Sequence, residues 1–78
     1  MLAQDAYQAA YLRFIDKLRR ARLETGLTQA QVAVLLGKPQ SFVSKIEAGE
    51  RRVDFVELQV LAKAYGKPVT YFQDSLLP

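Results

Sequence analysis

The sequence predicts an all-α fold, a compact bundle of five helices, and three observations predict it. Apolar residues recur three or four positions apart in several segments, the spacing of one helix face. Nothing alternates with the period of two that a half-buried strand requires, beyond a few residues. Glycines at positions 26, 37, 49 and 66 interrupt the apolar stripes where helices would stop. With 78 residues there is room for one hydrophobic core, so residues 1–78 read as a single domain.

The first helix is expected over about residues 5–24, with Tyr7, Tyr11, Phe14, Ile15, Leu18 and Ala21 forming its apolar stripe. Gly26 ends it. Thr28 starts the second helix, because Thr28 and Gln31 have the spacing of a capping box and Leu27 and Val32 that of a hydrophobic staple. That helix runs to Leu36 and stops at Gly37, which reaches positive φ at little cost. Pro39 suits the first turn of the third helix, where its missing N–H is no loss; the helix ends near Ala48 and Gly49. Asp54 and Glu57 approximate a second capping box, with Val53 and Leu58 as its staple. The inward face of the fourth helix is expected to be Phe55, Leu58, Leu61, Ala62 and Tyr65, with Gly66 as the stop. Pro68 opens a last short helix through Tyr71 and Phe72.

Composition narrows the chemistry. Half the residues are hydrophobic and only four are glycine, which describes a folded chain and not a disordered tail. There is no cysteine, so disulfides and thiolate metal sites are excluded, and no histidine, the commonest general base and metal ligand. An enzyme is therefore the weakest reading, and no cofactor, metal or small-molecule ligand is expected. No apolar run approaches the roughly 20 residues of a membrane span, and the N-terminus lacks a signal-peptide layout. A cytoplasmic protein with no membrane partner is the expectation. Net charge is +3, but residues 13–52 carry nine basic against four acidic side chains, while the flanks are net −2. A basic middle between mildly acidic ends suits a polyanionic partner.

The segment 28–52, TQAQVAVLLGKPQSFVSKIEAGERR, concentrates the functional signal. Two helices joined by so short a turn cross steeply, so a small residue, Ala33, belongs at their near point. Val32, Leu36, Val43 and Ile46 anchor them to the core. Gln40, Ser41, Ser44 and Lys45 share the opposite face of the third helix, an unusually hydrogen-bonding surface. With Leu27, Thr28, Gln29, Ala33, Gly37, Gln40, Ser41, Val43, Ser44, Ile46, Glu47 and Gly49 in register, and Arg22 four residues before Gly26, the chain resembles the lambda-repressor-like (XRE-type) helix-turn-helix family of bacterial and phage regulators. The likeness covers about residues 14–72, leaving an N-terminal helix extension, 1–13, and a C-terminal tail, 73–78.

The resemblance implies a DNA-binding domain whose third helix enters the major groove N-terminus first. Gln40, Ser41, Ser44 and Lys45 are then the candidate base contacts, glutamine being able to bond an adenine edge twice. Gln29 resembles the glutamine that anchors a phosphate at a helix N-terminus, and Lys38, Arg51 and Arg52 are further phosphate candidates. Phe42 departs from the small or tyrosine residue expected there; it either touches a thymine methyl or packs inward, and packing is the favoured alternative. The resemblance also implies that Arg22 and Glu47 form a structural ion pair. Two-fold dimers of such domains place recognition helices about 34–36 Å apart, so a homodimer on double-stranded DNA is expected. Its candidate contacts are Val56, Val60, Tyr71, Phe72, Leu76 and Leu77, with the extended start of the first helix, Tyr7 and Tyr11, beside them. The leading function is a sequence-specific regulator, most economically a repressor on a palindromic operator. The rival is an antitoxin-like or adaptor module that uses the same fold to bind protein.

Overall fold

A computed structural model describes residues 4–74. Four α-helices follow in order: α1 Gln4–Thr25, α2 Gln29–Leu36, α3 Gln40–Glu47 and α4 Phe55–Ala64. The fifth expected helix is a single turn of 3-10 helix, Val69–Phe72, preceded by Pro68. There is no strand among the described residues.

Side-chain chemistry sets the starts of α2 and α4. The Thr28 hydroxyl accepts from the Gln31 N–H at 3.1 Å while the Gln31 carboxamide accepts from the Thr28 N–H at 2.9 Å, closing a reciprocal box. Asp54 and Glu57 do the same for α4, at 2.7 and 3.1 Å. Each box satisfies N–H groups that a helix start leaves without partners. Pro39 lies one position earlier than expected. It is the extended N-cap of α3, at ψ 157°, and the helix begins at Gln40.

Gly37 makes the turn between α2 and α3. Its φ of 66° lets Lys38 donate its N–H back to the Ala33 carbonyl at 2.9 Å, so α2 ends and the chain reverses within three residues. Ala33 itself is buried at this junction, and α2 and α3 pack directly on one another.

The buried residues form one cluster: Ile15, Leu18 and Ala21 from α1, Val32 and Ala33 from α2, Val43 and Ile46 from α3, Leu61, Ala62 and Tyr65 around α4, and Phe72. Two expected core positions differ. Tyr7 is 51% exposed and Phe55 is 62% exposed. Both stand at the N-terminal end of a stripe whose later members are buried, so the periodicity continues past the edge of the core.

The C-terminal turn is pinned back on α1. Arg13 meets Asp74 at 2.6 Å, Lys17 donates to the Gln73 carbonyl at 2.7 Å, and Lys67 pairs with Glu24 at 2.8 Å. Phe72 fills the gap beneath, edge-on to Phe14 and Tyr71.

Candidate nucleic-acid interface

Helix α3 is short, eight residues, and would not be stable alone. Its rigidity comes from Val43 and Ile46, buried on one face, and from Glu47 at its end. Glu47 takes two bonds from Arg22: Nε to Oε2 at 2.6 Å and Nη2 to Oε1 at 2.9 Å. The remaining terminal nitrogen of Arg22 donates to the Leu27 carbonyl at 2.9 Å, and the Gln29 amide donates to Glu47 Oε1 at 3.0 Å. The pair is nearly sealed, with side-chain exposures of 10% and 6%. One buried carboxylate therefore joins α1, the start of α2 and the end of α3. The hydrogen bond to Glu47 raises the Arg22 pKa above its usual value, against the opposing effect of burial. Nearby, burial in the same region, with the Glu47 charge adding to it, pushes the Tyr65 phenol up to about 12, so it stays neutral.

With that face committed, the other face of α3 is left to solvent. Gln40, Ser41 and Lys45 are exposed. Ser44 is half-buried and donates its hydroxyl to the Ser41 carbonyl at 3.3 Å, so it is less available than the expectation of a base contact requires. The amide of Gln29 spends one N–H on Glu47 and keeps a second donor.

The loop after α3 treats its two candidate phosphate contacts differently. Arg51 and Arg52 are adjacent in sequence but not alike. Arg51 is bidentate to Glu57, at 2.9 and 2.8 Å, and its guanidinium carbon lies 4.3 Å over the Phe42 ring. It clamps the end of α3 to the start of α4, and its charge, shared with Glu57, is less free to meet a phosphate. Arg52 has no ion pair among the described residues; its guanidinium lies over Tyr11 at 4.1 Å and near Tyr7 at 5.8 Å. Lys38 approaches the Phe42 ring at 5.6 Å. Phe42 is half-buried against the core, inward as expected, and carries both cations on its ring.

Glu57 has two jobs, cap and ion-pair partner, and each favours its ionised form. The Arg51 hydrogen bond holds its carboxyl below the ordinary 4.5, helped by the Asp54 backbone and opposed by burial. A lowered folded-state pKa adds stability that is complete above the unfolded value and is lost as pH falls through the folded one. Thermal melts at pH 7 and pH 3.5, roughly one unit below the ordinary value, should therefore show a smaller loss for Glu57→Gln than for the parent. Equal losses would show that the pair is not coupled to folding.

A sequence model of the helix-turn-helix family matches residues 18–72. The chain belongs to that family. Neither a curated protein nor a solved structure matches the chain. Helix-turn-helix proteins of this lambda-repressor-like kind are DNA-binding regulators, and enzymatic activity is not typical of them. Within the helix-turn-helix frame, α2 and α3 are the two eponymous helices, and α3 occupies the recognition position. No described helix is long and apolar enough to cross a membrane.

The dimer candidates separate. Val56 and Val60 are 66% and 47% exposed and border an apolar groove of about 140 Å³ that Leu36, Phe42 and Leu61 also line. Phe72, by contrast, is buried in the monomer core and unavailable to a second copy. Tyr71 is half-buried, edge-on to Phe72 and covered by Lys67 at 4.7 Å. Leu76 and Leu77 lie outside the described residues. What the sequence reading missed is the Arg51–Glu57 pair and the seating of Arg52 on α1. The only sequence signal for either was an aromatic residue at position 42 and two tyrosines, four apart, before the family-like segment.

Proposed function

We propose that this protein is a sequence-specific regulator that binds double-stranded DNA through α3, acting as a two-fold dimer that represses by occupying a palindromic operator. The observation that carries this reading is the two-sided character of α3. Val43, Ile46 and Glu47 fasten it to three other parts of the fold, while Gln40 at its N-terminal end and Ser41 and Lys45 on its outer face stand exposed. A helix held this firmly presents side chains at defined spacing, which reading base edges requires. Repression needs nothing beyond occupancy of the site.

Val56 and Val60, with the groove beside them, supply the self-association surface in this reading. Exposed apolar residues grouped on one helix face mark contacts more often than scattered ones do.

Selection of bound sequences from a random duplex library tests the whole reading, because it reports sequence, half-site spacing and symmetry together. A two-fold symmetric site with half-sites one helical turn apart is the expected outcome. On that site, Gln40→Ala should cost about 1–3 kcal/mol and relax preference at one base pair. Equal weakening on every sequence would mean that Gln40 does not read a base. Affinity that barely changes with salt would count against DNA as the partner, since each phosphate contact contributes a slope of about −0.9. Binding would then map to Val56 and Val60, as the protein-interaction reading requires.

A further inference from the structure

We propose that Tyr7 and Tyr11, on the first turns of α1, form an aromatic platform that aims Arg52 at a phosphate of bound DNA. Both tyrosines lie before residue 18, where the family match begins. The inference rests on the DNA-binding reading above and adds positioning residues to it.

The contrast between the two arginines carries the inference. Arg51 is paired with Glu57, whereas Arg52 lies over ring faces and has no ion pair among the described residues. A guanidinium over an aromatic face is attracted by the ring without spending its N–H donors on it, which leaves them open to an anion. The platform is itself fixed. Tyr11 is tilted against Phe14 with centroids 5.6 Å apart, and Phe14 packs on the core. The Tyr11 hydroxyl lies 3.5 Å from the Arg51 carbonyl, at the weak limit of a hydrogen bond, so the ring and not the hydroxyl makes the platform. Arg51 strengthens the loop that carries Arg52 by donating to the Arg52 carbonyl at 2.8 Å.

Function follows from entropy. An arginine free in solvent loses rotamer freedom when it grips a phosphate, and freezing such a side chain costs about 0.5–1.5 kcal/mol. Stacking on Tyr11 takes that loss before DNA arrives. Removing the platform should then weaken binding roughly two- to tenfold, and only while Arg52 is present.

The test is a double-mutant cycle read by fluorescence anisotropy, on the selected duplex and on a generic duplex at low salt. Tyr11→Leu removes the ring while keeping bulk, Tyr11→Phe keeps the ring, and Tyr7→Ala trims an exposed side chain. Melting curves establish that each variant is folded at the assay temperature. Tyr11→Leu is expected to weaken both duplexes alike, Tyr11→Phe to bind as the parent does, and Tyr11→Leu to have no further effect on Arg52→Ala. Additive losses, parental affinity for both Tyr11→Leu and Tyr7→Ala, or tighter binding by either would overturn the platform. Should Tyr11→Leu fail to fold, the same cycle with Tyr7→Ala decides. Failure of the parent to bind either duplex in a salt-dependent way would instead overturn the DNA-binding reading itself.

Discussion

Replacing Arg22 by alanine should lower the melting temperature by on the order of 15 °C or more. Glu47 would be left almost fully enclosed with only the Gln29 amide as a partner. Removing one member of a buried ion pair costs about 3–5 kcal/mol, chiefly because the other charge stays behind uncompensated. A domain of this size has a total stability of roughly 4–12 kcal/mol, and each kcal/mol moves its midpoint by about 4–8 °C. The loss is therefore large enough to leave part of the population unfolded at physiological temperature. Thermal melting followed by circular dichroism measures it directly. A control separates charge from packing: exchanging both partners together, Arg22→Met with Glu47→Leu, should be much milder than Arg22→Ala alone, since no charge is stranded. Arg22 pairs at the C-terminal end of α3, the end opposite Gln40, so below its melting point the alanine variant should keep the parental preference among sequences. An unchanged melting temperature would show that the pair does not hold α3 in place.

The second large effect is expected from Ile46→Ala. Ile46 is among the most completely buried side chains and sits on the inward face of α3, one turn after Val43. Deleting it removes apolar contacts and leaves a cavity between α3 and the rest of the core, at a cost of about 2–5 kcal/mol. Urea denaturation should show a lower midpoint with an unchanged slope, because the folded and unfolded surfaces are otherwise the same. Ile46→Val, which removes one methyl group, should cost about 0.5–1.5 kcal/mol. A loss from Ile46→Ala no larger than that of the valine variant would mean that the surroundings close around the gap and α3 is not seated as described. Ile46 and Glu47 are neighbours that fasten the same helix, so combining Ile46→Ala with Arg22→Ala should depart from simple addition.

These two substitutions bracket how α3 is held: apolar burial under its middle and an enclosed ion pair at its end. Neither touches the exposed face. This division lets the same eight residues be rigid for the fold and open for a ligand.

Much of this arrangement is written locally. Thr28 with Gln31 and Asp54 with Glu57 mark two helix starts by side-chain chemistry that acts over three residues. Gly37 marks the turn between α2 and α3 because only a residue at ease with positive φ reverses the chain there. The buried set Ile15, Leu18, Val32, Val43, Ile46 and Leu61 follows from periodicity. The polar face of α3 is legible for the same reason, as the complement of its apolar one.

Other features depend on how far one element reaches past another, which no local pattern encodes. The stripes of α1 and α4 both begin with an aromatic residue, yet Tyr7 and Phe55 are exposed because the core ends before they do. Phe72 looks in sequence like part of an apolar C-terminus and is instead the plug beneath α1. Arg51 and Arg52 are indistinguishable as letters. The path of the loop gives one to Glu57 and Phe42 and the other to Tyr11, on a helix formed some forty residues earlier. By itself, then, the sequence determined the four α-helices, their turns, most of the inward residues and the family, since all rest on spacing within a few positions. Tertiary structure alone decided which cations are paired with a carboxylate and which are not. Pairing of charges depends on distances in space across chain-distant elements, and only the packed core sets those distances.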